Sequence, residues 1–467
     1  MLWALAALVV GISLAITGLS HSSSHEVESL GGMSDEWAFL GANLAIYHTL
    51  GAGTEPFVFR PPGYPFFLAA VATAVLEVPS EHTATFALSY KQTMFVAHRL
   101  VLAVSSGLLF LWLSAAVRAR TAFAGAVLFG SNPYSVVLTG FSHYSVVHWG
   151  ILLAAAMVLQ NALRAPRRDR LIGAGVLWGL AALVRPTALM MPPFVALAAF
   201  LRLRGVPALK ATLLTLFGMS LAIAPWTGRN WQLTGRLIPV NAQAWTVLWA
   251  TTAMEVGSPP DRYKWYPIAK EHFLPIYARV TGEPVYTYPT FVRNILPLEA
   301  AFREEALRNL RARPEVYLRN AWHSGLSYAL DVNAIFLTVF ERIQHTGGEV
   351  DPGWVTLGHP EALPLSASAR AFNGLVWALT GLAAFGVVVA WRRRDLSLVE
   401  PVLAILCLGL GHALVYMDLL YYYSKLPFLI FLAFYGVEAI GSRRAALADA
   451  LSFALLGTGL ALSAWVM

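Results

Sequence analysis

The sequence predicts an all-α polytopic membrane protein. Of its 467 residues, 57% are hydrophobic and 13% charged, whereas a soluble chain carries roughly a quarter charged residues. Apolar runs recur along the whole length at about the span of a 30 Å bilayer core. The arginines gather in short clusters between those runs, as they do in cytoplasmic loops. The two-residue alternation of an outer-membrane barrel is absent.

These observations limit what the charge can mean. A formal net charge of +7 and a pI near 9.5 would suit a nucleic-acid binder, but the positive charge lies between apolar runs, so no nucleic-acid partner is expected. The one cysteine, Cys407, sits inside an apolar run. It allows no disulfide within the chain and no cysteine-based zinc site, and reads as a small buried apolar residue.

Residues 1–19 lack the basic start and small-residue cleavage site of a signal peptide, so they read as a retained first transmembrane helix. The basic clusters then set the orientation. "RAR" at 118–120, "RAPRRDR" at 164–170, "RLRGVPALK" at 202–210, "WRRRD" at 391–395 and "GSRR" at 441–444 all face the cytoplasm if helices stand near 1–19, 93–117, 121–139, 146–163, 171–185, 188–202, 208–226, 371–391, 397–417, 425–440 and 446–466. That arrangement gives about eleven spans (range about ten to thirteen) with a cytoplasmic N-terminus. The apolar stretch 64–79 breaks this pattern if it crosses. It is therefore expected to lie in the outer interface, or to re-enter it, within a first external loop over about 20–92.

Three regions follow. Residues 1–226 form an N-terminal transmembrane module that includes the first external loop. Residues 227–370 are richer in charge, Tyr, Trp and Pro, and read as an external cap lying on the membrane. Residues 371–467 form the C-terminal transmembrane helices. Within the cap, 297–326 reads as an amphipathic helix broken near Pro314. Trp245, Trp249, Trp265, Tyr266 and Tyr288 stack on sugars or belt the interface.

Chemistry concentrates in the first external loop. "GGMSDEW" (31–37) places Asp35 and Glu36 side by side. One reading is a helix start, with Ser34 as its N-cap and the carboxylates in its first turn. The other is function, because carboxylates near lipid are costly unless solvated, paired or used. "FRPPGYPFFLAA" (59–70) follows in the same loop. Its paired prolines stiffen the chain, Gly63 permits a turn, Tyr64 suits the interface, and Arg60 brings a cation to the surface. His143 and His148 flank an external helix end, where they bind phosphate or acceptor or serve as hydrogen-bonded interfacial histidines. His21 and His25 stand four apart in "HSSSHE", a metal-pair spacing, although the serines between them favour a polar linker.

The order of these motifs resembles the GT-C superfamily of membrane glycosyltransferases, nearest the branch with protein O-mannosyltransferases and the lipid A aminoarabinose transferase. The likeness rests on Asp35-Glu36 after the first helix, then "RPPGYPFFLA", "GVLWGLAALVRPTAL" (175–189), "APWTGRNWQLTGRLIPVNAQAWTVLW" (224–249) and "LPFLIFLAFYGVEAI" (426–440). The chain departs from the pattern in two places. "GFSHYSVVHW" (140–149) carries histidines where many relatives have an acidic residue, and "DLLYYYSKLP" (418–427) lacks their Arg-Tyr pair.

The resemblance implies a GT-C-like bundle with juxtamembrane helices in the first external loop. It also implies an enzyme that moves a sugar from a polyprenyl-phosphate donor to a protein, lipid or glycan acceptor on the outer membrane face. No nucleotide-binding glycine motif appears. By resemblance Asp35 is the general base and Glu36 its supporting carboxylate, the pair permitting a divalent cation. Arg60, Arg185, Arg229 and Lys425 are candidate phosphate clamps, and Tyr64 and His143 candidate substrate contacts. Boundary arginines pairing with lipid headgroups, and solvated charges at Arg229 and Arg236, are the competing assignments. A transporter or lipid flippase would also fit the helix count, and a surface-polysaccharide polymerase or ligase would place its site in 227–370. The compact chain with one cysteine points to a bacterial or archaeal plasma membrane.

Overall fold

The computed structural model describes residues 2–21, 31–74, 88–140, 143–253, 265–286, 288–330, 367–414, 424–441 and 445–466. Its helices run α1 Leu2–His21, α2 Gly31–Tyr47, α3 Gly63–Thr73, α4 Leu88–Leu113, α5 Ala119–Ser131, α6 Pro133–Leu138, α7 Ser145–Arg164 and α8 Arg168–Val184. After a 3-10 turn over Pro186–Met190 come α9 Met191–Leu203, α10 Gly205–Thr234, α11 Ala244–Ala253, α12 Trp265–Thr281, α13 Tyr288–Arg293, α14 Ile295–Ala312 and α15 Pro314–Leu330. The chain continues with α16 Ala367–Arg393, α17 Val399–Leu414, α18 Leu426–Gly441 and α19 Ala445–Val466. Two short antiparallel strands, β1 Gly51–Ala52 and β2 Glu55–Pro56, make a hairpin after α2.

The chain is an integral membrane protein. A helix stands at each of the eleven expected positions, but among the described residues five are long and apolar enough to cross a bilayer: Gln92–Leu113, Ser145–Arg164, Pro186–Leu203, Gly205–Thr234 and Ala369–Arg393. The lengths do not establish eleven crossings. The expected helix over 121–139 is split, because Asn132 leaves the helix and caps the next one. Its side chain accepts the Ser135 amide at 3.0 Å, and Pro133 opens α6. α3 has 11 residues, about 16 Å of helix, roughly half a bilayer core. It packs against α2, α4 and α8.

Two features show how the bundle meets lipid and itself. On α10, Leu209, Leu213, Phe217 and Leu221 recur every four residues and are about half exposed, an apolar stripe on one helix face. The opposite face touches α8 almost backbone to backbone. A Cβ on Gly175 would lie 1.9 Å from the Thr215 carbonyl oxygen, and one on Gly218 would lie 2.1 Å from that of Ile172. Small residues permit this approach, which gives dense packing where burial from water drives little.

At the end that carries the arginine clusters, buried polar groups join distant helices. Arg202 binds Glu400 through two bonds of 2.6 and 2.7 Å. Gln160 donates to the same carboxylate at 3.1 Å and accepts from Trp112 at 2.9 Å. Glu400 is 1% exposed, and deleting one partner of such a pair costs about 3–5 kcal/mol. Arg118 and Thr121 both bind Glu438, tying α5 to α18.

The opposite end has its own apolar core. It joins Trp37, Phe57, Phe59, Tyr64 and Leu68 of the first loop to Trp249, Tyr277, Phe291, Leu298 and Phe302 of the cap. The two segments that the sequence separates thus share one core. α14 ends at Ala312 and α15 starts at Pro314, the break expected there, because proline suits the first turn of a helix.

Candidate functional site

The first loop is held by backbone contacts. From α2, the Asn43 amide reaches the Thr49 and Gly53 carbonyls at 2.8 and 3.1 Å, and its oxygen accepts the Gly53 amide at 2.7 Å. This ties the hairpin to the helix. Three consecutive carbonyls beyond it are clamped by the segment that starts the cap. Arg229 donates to Phe57 at 2.8 Å, the Ala242 amide to Val58 at 2.7 Å, and Asn241 to Phe59 at 2.9 Å. The next residue is Arg60, so its starting point is fixed from both sides.

The chain then turns through Pro61 and Pro62 into α3, whose first residue, Gly63, lies against the end of α8. A Cβ there would sit 2.8 Å from the Leu183 carbonyl carbon and the Val184 nitrogen. Gly63 does not have a positive φ, so its role is close approach and not the turn that the sequence suggests. The contact packs the start of α3, which carries Tyr64, against the end of α8, one residue before Arg185.

Aromatic rings fill the space between them. Trp37 of α2 meets Tyr64 edge-on at 5.6 Å and Tyr144 at 5.7 Å, and the Arg60 guanidinium lies 5.3 Å from the Trp37 ring centroid. Arg185, 5% exposed, lies 5.6 Å from the Tyr144 ring centroid. Cations over aromatic faces are held by the ring quadrupole. The Tyr64 hydroxyl pairs with His98 Nε2 at 3.0 Å, and both residues are fully buried.

His143 stacks obliquely on Tyr144 at 4.1 Å. Its Nδ1 accepts the Ser145 amide at 3.3 Å and lies 2.8 Å from the Ser145 hydroxyl. Burial, reinforced by the Arg185 charge and by His98, pushes its pKa down to about 3, so the imidazole is neutral. One turn along α7, His148 is buried and its Nε2 finds no hydrogen-bond partner among the described residues.

On the far side of Arg185 is Tyr328. Burial pushes its phenol up, while Ser424 and the Arg185 charge pull it down. Lys425 donates to the Tyr328 carbonyl and lies 5.1 Å from that ring's centroid. Arg185 thus rests on Tyr144 and lies within electrostatic reach of His143 and Tyr328.

Among solved structures, the chain is similar to an archaeal oligosaccharyltransferase, AglB from Archaeoglobus fulgidus, in complex with an inhibitory peptide and a dolichol-phosphate. The TM-score is 0.55 with 11% identity over 99% of this chain and 55% of that one. The apo form of the Archaeoglobus fulgidus oligosaccharyltransferase matches at a TM-score of 0.50 and 11% identity, over all of this chain and 56% of that one. The chain has the GT-C fold. It spans little more than half the length of those oligosaccharyltransferases. ArnT from Cupriavidus metallidurans, bound to undecaprenyl phosphate, aligns more loosely, at a TM-score of 0.43 and 15% identity over 93% of this chain and 77% of that one. No family model and no curated protein matches the sequence.

Within the GT-C frame the expected residues fall into three groups. Arg60, Tyr64, His143 and Arg185 converge on the ring cluster. Arg229 binds the Phe57 and Leu50 carbonyls and packs on Trp226, so it braces the loop, while Arg236 is exposed. Lys425 is buried against Tyr328. The backbone of Asp35 and Glu36 lies in the second turn of α2, because the helix begins at Gly31. Ser34 is therefore inside the helix and not its cap. The side chains of residues 31–36 lie outside those described, as do residues 22–30, including His25. Among the described residues no group of three or more His, Cys, Asp or Glu could hold a metal ion.

Several participants escape the sequence. Trp37, Tyr144 and Ser145 are not singled out there. His98 carries a faint signal, as a polar residue within the run "FVAHRLVLAV" (95–104). Trp249 neither belts the interface nor stands ready for a sugar. It is 3% exposed, in the cap core, 4.8 Å from Phe302.

Proposed function

We propose that the protein is a glycosyltransferase that moves a sugar from a polyprenyl-phosphate donor to an acceptor at the end of the bundle carrying the first loop and cap. One observation carries this reading. Trp37, the residue after Asp35-Glu36, is locked into the ring cluster that holds Arg60 and, through Tyr144, Arg185. The residue that follows the Asp35-Glu36 pair thus shares one ring cluster with two cations far from it in sequence, which supports this reading. The GT-C fold, shared with a structure that holds a dolichol-phosphate, supports a lipid-phosphate donor.

The chemistry needs few parts. Asp35 takes the acceptor hydroxyl's proton as its oxygen attacks the anomeric carbon. The bond from that carbon to the phosphate oxygen breaks, and the electron pair leaves with the lipid phosphate. That phosphate gains charge, so preorganised cations lower the barrier. In this reading Arg185 and Arg60 supply them, and Lys425 is a further candidate. Glu36 supports Asp35. The arginine clusters at the other end of the bundle support an outer-face site.

The test replaces Asp35 with Asn and measures transfer from a lipid-linked sugar donor by the purified protein. Transfer should fall by about 100-fold or more with thermal stability retained. Undiminished transfer in the folded variant would remove Asp35 from the role of base.

A further inference from the structure

We propose that Ser145 is a positioning residue that fixes His143 as its Nε2–H tautomer, making His143 a neutral hydrogen-bond donor to the phosphate of the lipid-linked substrate. The inference rests on the donor class proposed above and deepens it.

The tautomer follows from one bond. A backbone amide can only donate, and the Ser145 amide points at His143 Nδ1 at 3.3 Å. Nδ1 is therefore an unprotonated acceptor. The Ser145 hydroxyl, at 2.8 Å from the same atom, then donates to it as well. In a neutral imidazole the remaining proton sits on Nε2. The ring stays neutral because burial and the Arg185 guanidinium oppose a second positive charge. His143 and Arg185 both rest on the Tyr144 ring, so a phosphate bound by Arg185 lies beside the imidazole.

A neutral donor does something there that another cation would not. The leaving phosphate gains one negative charge as the sugar departs. Arg185 answers with charge, and Nε2–H answers with direction. A neutral imidazole is too weak an acid to give up its proton, so it stabilises the oxyanion without protonating it. The lipid phosphate product is then held by one fewer fixed charge, which favours its release.

Two substitutions separate this role from a merely structural one. In His143→Asn the side-chain oxygen can replace Nδ1 as acceptor for Ser145, but the Nε2 donor is lost. In His143→Gln an amide N–H can reach the Nε2 position, but the Ser145 acceptor is lost. The probes are a short-chain polyprenyl phosphate and the corresponding polyprenol, titrated into detergent-solubilised full-length protein. His143→Asn should bind the phosphate about tenfold more weakly or worse, bind the alcohol unchanged, and melt like the parent. His143→Gln should recover part of the loss.

In protein carrying 15N-labelled histidine, the His143 ring signals should report Nε2–H. Ser145→Ala keeps the amide and loses the 2.8 Å hydroxyl bond, so a share of the Nδ1–H form should appear beside Nε2–H, and Ser145→Thr should restore the parent pattern. Parental phosphate affinity in folded His143→Asn overturns the donor role while leaving the lipid-phosphate reading intact. An unchanged tautomer in Ser145→Ala overturns the hydroxyl's positioning role and leaves the backbone amide as the group that fixes the ring. If the parent itself does not prefer the phosphate to the alcohol, the donor class fails, and this inference fails with it.

Discussion

Arg229 and Phe57, 172 positions apart, are joined by a 2.8 Å bond from the guanidinium to the backbone carbonyl. The guanidinium also lies 4.4 Å from the Trp226 ring centroid. The bond crosses from the last turns of α10 to the segment after β2 that leads into Arg60, so a residue expected to hold phosphate is already engaged in holding the loop. Arg229→Met keeps most of the packing and removes the donors. It should lower stability by about 1–3 kcal/mol, read as a lower melting temperature, and weaken donor affinity through Arg60. A Kd for polyprenyl phosphate lost before any change in melting would instead mark Arg229 as a direct ligand.

Gly63→Ala tests the contact between α3 and α8. The added methyl meets the backbone at Leu183 and Val184, which cannot yield as a flexible side chain would. A destabilisation of about 1–3 kcal/mol is expected, with donor affinity falling further than in Gly173→Ala, a change elsewhere on α8 where nothing lies within 4 Å of the added carbon. Equal effects in the two variants would show that the contact does not set the site.

Glu299 of α14 caps a different helix. Its carboxylate accepts the Trp245 amide at 2.9 Å and the Thr246 amide at 2.8 Å, along with the Thr246 hydroxyl. These are first-turn amides of α11, where a negative charge also meets the positive end of the helix dipole. Glu299→Ala should cost about 1–3 kcal/mol and speed hydrogen exchange across 244–253, whereas Glu299→Gln should do less. Unchanged exchange in Glu299→Ala would mean that the cap core alone holds α11.

His143 gives a pH signature with a definite sign. In the unfolded chain its imidazole takes up a proton as pH falls below about 6.5, whereas in the fold it stays neutral until about 3. Between those values the unfolded state binds more protons, so stability declines as pH is lowered through that window and is unaffected above it. Melting temperature followed from pH 7 to 4 should fall less steeply in His143→Asn than in the parent. Identical slopes would mean that His143 protonates normally in the folded protein.

The sequence announces the pieces of this site better than their assembly. Arg60 and Arg185 are legible because each precedes a proline at the edge of an apolar run, a place where a charge needs a reason. The helices are legible from apolar run length. The long-range contacts are not, because a carbonyl bound by Arg229 looks like any other carbonyl in one dimension. Trp37 and Tyr144 hide for a related reason, since an aromatic at a membrane edge already has an ordinary explanation. The split at Asn132 is a local cap that overrode an apolar run, and its signal, Asn-Pro, is present at 132–133.

The glycine seam between α8 and α10 also bears on how a lipid could enter. Helices that touch through their backbones have no layer of side chains on which to slide. α8 leads directly to Arg185, and α10 carries Arg229. Both arginines therefore ride on one stiff girder. In the proposed reaction a lipid donor would enter along another seam, with the first loop, fastened to this girder at Gly63 and Phe57, as the door frame and not the door.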